Sequence, residues 1–156
     1  MSVDTDLLVE QARSLFADES DPIANAANLS ALIATAFADL NWAGLYYVRG
    51  EELVLGPFQG NVACTRIPRG SGVCGTAWAE GRTIVVPDVH AFPGHIACDS
   101  ASESEVVIPL IVDGAVVAVL DLDSPTKNRF SPKDVASLER VAAVYVERLR
   151  TGLRHA

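Results

Sequence analysis

The segment VVIPLIV (106–112), Asp113-Gly114, AVVAVLDLD (115–123) leaves the backbone little choice. Two apolar, β-branched runs flank a dipeptide that tolerates left-handed backbone at both positions, which is what a type I′ turn between antiparallel strands requires. A two-residue turn pairs Val112 with Ala115 and sets position 106 opposite Asp121. In that register Glu105 faces Leu122, away from both aspartates, unless the strand begins after Glu105 or a bulge turns it inward. Pro109 cannot donate to the ladder and favours an irregular or edge strand.

The rest of the chain supplies partners for this hairpin. AGLYYV (43–48), a turn at Arg49-Gly50 and EELVLGPF (51–58) read as a second hairpin, and RTIVVPDV (82–89) as a brief strand. Residues 60–73 and 90–104 read as loops. Leu8, Ala12, Leu15 and Phe16 recur at helical spacing, as do Leu29, Leu32, Ile33, Phe37 and Leu40. VCGTAWAEG (73–81) predicts a short helix ending at Gly81, because glycine readily supplies the left-handed cap. Ser131, Pro132 and Asp134 mark the start of a last helix whose apolar face is Leu138, Val141, Ala142, Tyr145 and Leu149. The expected fold is α+β, one domain over 1–156. Helices fill 1–40, sheet and pocket loops 41–130, and a helix 131–151. The antiparallel sheet carries the terminal helices on one face and ligand-covering loops on the other.

Composition removes several function classes. With 49% hydrophobic residues among 156, the chain can bury a single core and is not expected to be disordered. No apolar run approaches the ~18 residues needed to cross a bilayer. MSVDTDLLVEQ opens with acids rather than a basic, apolar leader, so a cytoplasmic protein is expected. Net charge −8 argues against nucleic acid and membrane surfaces as partners. Three cysteines, at 64, 74 and 98 with no Cys-x-x-Cys pair, fit neither a disulfide framework nor a zinc ribbon.

Three groups of side chains carry possible chemistry. Asp121 and Asp123 point to one strand face; they either mark a solvated strand end or edge an apolar pocket. Trp42 and Tyr46, four apart, also share a face; with Tyr47 and Trp78 they fill a core or wall a cage for a small soft group. The thiols are the third group. A cysteine is most often inert packing, yet Cys98 sits in GHIACDSASESE, a polar, acidic loop. Cys64 lies beside Arg66 and Cys74 at a helix start, and both settings favour thiolate. A zinc set of His90, His95 and Cys98 with Cys64 or Cys74 matches no common spacing, so no metal is expected.

The words NWAGLYY, GPFQGNVACTRIPRGSGVCGTAW, PDVHAFPGHIACDSASESE, VIPL and VLDLDS resemble the free methionine-(R)-sulfoxide reductases, a family of small GAF-like domains. The resemblance covers nearly the whole chain, most clearly from about Trp42 to the last helix. It implies that Cys98 is the nucleophile and that Cys64 and Cys74 are the other redox cysteines, at least one of which resolves a sulfenic acid. Trp42 and Tyr46 match aromatics holding the substrate's methyl end, while Glu105, Asp121 and Asp123 match the acids that bind and activate the sulfoxide. It implies free methionine (R)-sulfoxide as substrate, thioredoxin as reductant and no cofactor. Acids beside Cys98 disfavour its thiolate unless one is protonated, and a protonated acid is what proton donation requires. Glu105 or Asp123 is the expected donor, with the others on the substrate ammonium. Glu103 has no expected role. The alternatives are a non-catalytic GAF-type sensor and a redox switch without a substrate. The helical termini would allow a homodimer.

Overall fold

The structure, a computed structural model, describes residues 2–155. Two helices, α1 (Thr5–Phe16) and α2 (Pro22–Ala36), precede the strands β1 (Trp42–Arg49), β2 (Glu52–Gly60) and β3 (Arg66–Pro68). Helix α3 (Gly72–Glu80), strand β4 (Ile84–Val86) and one 3-10 turn (Val89–Ala91) lead to β5 (Ser104–Val112), β6 (Ala115–Ser124) and helix α4 (Pro132–His155). The strands form one antiparallel sheet in the order β3-β2-β1-β6-β5-β4.

Local chemistry sets the element ends. Asp4 and Asp21 accept hydrogen bonds from the first amides of α1 and α2, and Pro22 opens α2 where its missing N–H costs nothing. Ser131 Oγ accepts from Asp134 N at 3.1 Å and Asp134 Oδ2 accepts from Ser131 N at 3.2 Å, a reciprocal cap for α4. Gly81 closes α3 at φ 64°. The β1–β2 turn falls on Gly50-Glu51, one residue later than expected, because Arg49 pairs with Glu52 and Gly50 takes the positive φ of 65°. In α1 the buried stripe is Leu8, Val9, Ala12 and Phe16; Leu15 lies beyond it and is exposed.

The β5–β6 hairpin begins as expected: Asp113 and Gly114 have φ of 50° and 82°, and Val112 pairs with Ala115. Ile111 then pairs with Val116 but Leu110 pairs with Ala118, leaving Val117 as a one-residue bulge on β6. Every later pair is displaced by one: Val107 meets Asp121 and Glu105 meets Asp123. A one-residue slip moves a whole strand to its other face. The bulge therefore brings Glu105 onto the face of both aspartates, correcting the straight-ladder register. Strand β4 pairs only with Glu105–Val107, so Pro109 lies where β4 no longer covers β5.

Each sheet face has its own core. Ala43, Leu45, Val106, Ile108, Leu120 and Leu122 pack against α1, α2 and α4. Trp42, Tyr46, Val107 and Val119 face the other way, onto α3 and the loops. This second face is thus not roofed by loops alone: α3 inserts Val73, Cys74, Ala77 and Trp78 beneath them. Among the described residues no helix is long and apolar enough to cross a membrane.

Gly44 is where two aromatics need space. A Cβ there would stand 2.4 Å from Phe58 Cβ and 2.8 Å from the Trp42 ring. Gly44→Ala is expected to lower stability by about 1–3 kcal/mol, as overpacking in a core does. Chemical denaturation would read it as a lower midpoint at an unchanged slope.

Candidate active site

The second face converges on a cavity of about 40 Å³. Its wall is aromatic. The Trp42 ring stacks on Tyr46 at 5.7 Å and on Phe58 at 5.2 Å between centroids. The polar tips of the first two hold a neighbouring loop, since Trp42 Nε1 donates to Asn61 O (3.2 Å) and Tyr46 Oη donates to Cys64 O (3.0 Å). Apolar faces thus point inward while each N–H or O–H has a partner.

Three carboxyls edge the cavity. Glu105 and Asp121 are buried and Asp123 is half-buried; all three line the same space. Asp121 Oδ1 is buried without a protein hydrogen-bond partner. Burial, then the charge of Asp123, pushes Glu105 up to about 8. Burial and Glu105 raise Asp121 well above the carboxylate range, and burial and Asp121 do the same to Asp123. At neutral pH the cluster holds fewer than three charges and titrates as a unit. It keeps a neutral acid available as donor while offering negative charge to a cation.

The roof is the loop between the 3-10 turn and β5, and it carries Cys98. Cys98 is disulfide-bonded to Cys64 with a Cα–Cα distance of 5.4 Å, within the range a disulfide spans without backbone movement. Asn41 Nδ2 donates to Asp99 Oδ2 at 3.0 Å and Ser102 Oγ at 3.1 Å, clasping the loop just past Cys98. Glu103, for which no role was expected, anchors its far end. It pairs with His90 at 3.0 Å, and its backbone bonds Val89 and Ser124. One water needs roughly 10–15 Å³ of such space, so the cavity holds a few waters.

Cys74 lies on the floor, buried and unbonded to sulfur. Burial, then the charges of Asp121 and Glu105, raises its thiol well above the ordinary value. The start of α3 does not overcome this, so Cys74 is a neutral thiol rather than the thiolate its position suggested. Arg66 is paired outward with Glu52 at 3.5 Å. The zinc set is not assembled, because Cys64 and Cys98 are joined to each other and His90 pairs with Glu103. Among the described residues, two other groups come within metal-binding reach. Cys74, Glu105 and Asp121 gather on the floor; Asp88, His90 and Glu103 gather at the surface. The first would have to shed protons that burial holds, and the second already has Lys127 Nζ 3.4 Å from Asp88.

The GAF domain family matches residues 21–146. The free methionine-R-sulfoxide reductase of Escherichia coli is 50% identical over 137 residues, covering 83% of this chain and 83% of that protein. The chain belongs to the free methionine-R-sulfoxide reductase family. The Saccharomyces cerevisiae enzyme of the same name is 45% identical over 128 residues, 77% of this chain and 71% of its own. The X-ray structure of the Neisseria meningitidis free methionine-R-sulfoxide reductase in complex with its substrate superposes at TM-score 0.93. It shares 45% identity and covers 100% of this chain and 96% of that one.

Within this reductase-family fold all eight residues singled out from the sequence, Trp42, Tyr46, Cys64, Cys74, Cys98, Glu105, Asp121 and Asp123, gather at one place. Seven line the cavity, and Cys64 reaches it through its bond to Cys98. Two aromatics go elsewhere. Tyr47 turns to the helix side, where its hydroxyl meets Tyr145 Oη at 2.8 Å; Trp78 packs in the second core. Sequence reading missed Phe58, which stacks on Trp42 from the neighbouring strand, and Asn41, which clasps the roof. Asn41 adjoins Trp42 in NWAGLYY, but no periodicity marks it. His95 was read only as a metal ligand, yet it lines the cavity.

Proposed function

We propose that this chain reduces free L-methionine (R)-S-oxide to L-methionine with Cys98 as nucleophile. The observation that carries this reading is the Cys64–Cys98 disulfide lying across a cavity with aromatic walls and acidic edges. In the reduced protein the Cys98 thiolate bonds to the sulfoxide sulfur while a carboxylic acid, Glu105, gives its proton to the oxygen. The oxygen, now carrying that hydrogen, transfers to the Cys98 sulfur as the sulfoxide S–O bond breaks. The transient S–S bond returns its electron pair to the methionine sulfur, methionine leaves, and Cys98 is a sulfenic acid. The Cys64 thiol then attacks that sulfur, forming the disulfide and releasing water. Thioredoxin returns both thiols by exchange through a mixed disulfide, which suits a cytoplasmic setting. Trp42 and Tyr46 receive the methyl end. Asp121, with its unpartnered Oδ1, and Asp123 receive the ammonium. Cys74 serves as a neutral wall of the floor.

The test supplies racemic free methionine sulfoxide, thioredoxin, its reductase and NADPH. NADPH consumption is expected to stop once half of the racemate is spent, with peptide-bound sulfoxide untouched; chiral chromatography of the remainder checks which epimer is gone. Binding of sulfoxide without consumption would instead identify a sensor. Thiol oxidation without stereoselective loss would identify a redox switch.

A further inference from the structure

The catalytic reading leaves one proton without a route. Glu105 is buried, with 8% of its side chain exposed, and it ends each reduction as a carboxylate. Cys98, once reduced again, must lose a proton to become the thiolate. Over the whole cycle these balance: the proton shed by Cys98 is the one that Glu105 lacks. Something must carry it between two groups on opposite sides of the cavity, one on the roof and one on the sheet.

His95 shares the cavity with both groups. It sits on the roof loop three residues before Cys98 and lines the same cavity. Its Nε2 is 3.6 Å from Glu105 Oε1, and 15% of its side chain remains exposed. The titratable groups facing the cavity with it are Glu105 on β5, Asp121 and Asp123 on β6, Tyr46 on β1, Cys74 on α3, and Cys98 and Asp99 on its own loop. Among the described residues no lysine or arginine lines this space, so His95 is its one basic side chain. We propose that His95 is the proton relay that recharges Glu105 between turnovers, an inference that rests on the reductase reading above. The imidazole accepts the Cys98 proton at Nδ1 and passes the hydrogen on Nε2 to Glu105 Oε1; no bond other than those to hydrogen changes, and no electron is transferred. Burial lowers the His95 pKa. The ring therefore rests neutral at pH 7, ready to accept a proton and not permanently paired with a Glu105 carboxylate. Because it takes the proton of the Cys98 sulfur, His95 acts on a reacting atom and serves as a catalytic proton carrier between turnovers.

The experiment compares wild-type chain with His95→Gln and His95→Asn, two variants so that a folding defect in one leaves the other. The wild type must first consume free methionine (R)-sulfoxide; if it does not, the functional reading fails and this inference with it. With an active wild type, both variants should form the first methionine from prereduced protein at close to the normal rate. Their steady-state kcat should fall about 10²-fold, the low end of what a positioned proton carrier contributes. KM should change little, and added imidazole should restore part of the rate with an increase that follows its neutral form. A steady-state kcat within about twofold of wild type in a folded variant would overturn the relay while leaving the reductase intact. So would a loss that appears already in the first turnover and is not relieved by imidazole.

Discussion

Cys98→Ser is expected to remove turnover of free methionine sulfoxide altogether, by at least about 10³-fold, because no other thiol on the cavity is available as a thiolate. Cys74 lies within reach of the acids, but its proton is held by burial and by Asp121. Cys64→Ser separates the two halves of the cycle. Its prereduced protein should release one methionine per chain in a burst and then stall as the sulfenic acid. That species can be trapped by a sulfenic-acid-specific reagent on Cys98. The structure makes this division sharp: 5.4 Å between the Cα atoms of Cys64 and Cys98 allows the bond without rearrangement, and Cys74 is buried and bonded to neither. Multiple bursts from Cys64→Ser would transfer the resolving role to Cys74. A burst surviving in Cys98→Ser would remove Cys98 as nucleophile.

Glu105→Gln should cost activity and add stability. In the folded chain Glu105 titrates at about 8 against 4.5 as a free side chain, with burial as the main cause and Asp123 second. Below pH 4.5 folded and unfolded chains are both protonated there, and the group does not affect folding. Between 4.5 and 8 only the unfolded chain ionises, so each pH unit weakens the fold by up to about 1.4 kcal/mol, and above 8 the penalty is constant. Glutamine removes this dependence. The variant should therefore gain on the order of a few kcal/mol above pH 8, seen as a melting temperature roughly 5–10 °C higher, with the gap closing as pH falls toward 4.5. The same raised acid sets activity. Wild-type turnover should fall about tenfold per unit above pH 8 as the donor deprotonates. Glu105→Gln should lose about 10²–10⁴-fold at neutral pH and lose that alkaline limb. A variant that keeps the limb at full rate would move the donor role to Asp123.

Legibility differed from element to element for physical reasons. Local signals placed the helices well, because caps such as Ser131-Pro132 and Gly81 act within a few residues. They missed Leu15, since two adjacent helical stripes both fit α1 and only its packing partners choose between them. Trp42 and Tyr46 were legible as a same-face pair from strand alternation, whereas Phe58 was not, because cross-strand neighbours depend on register. Asn41, Ser102 and Glu103 hold the roof through contacts between segments some 60 residues or 13 residues apart. No spacing in the chain encodes such contacts.

The chain alone decided the α+β composition, the Asp113-Gly114 hairpin, the acids on alternate positions of β6, the loop settings of Cys64 and Cys98 and the helical setting of Cys74. These follow from short-range backbone preferences and from side-chain alternation. Tertiary structure decided which carboxyl joins them and which thiols meet. One bulged residue, Val117, turns Glu105 to the side of Asp121 and Asp123. The folded roof brings Cys98 to Cys64 and leaves Cys74 buried. Register is settled by the packing of both sheet faces at once, and sulfur contacts by loop closure across the chain, so neither is visible in any single stretch of residues.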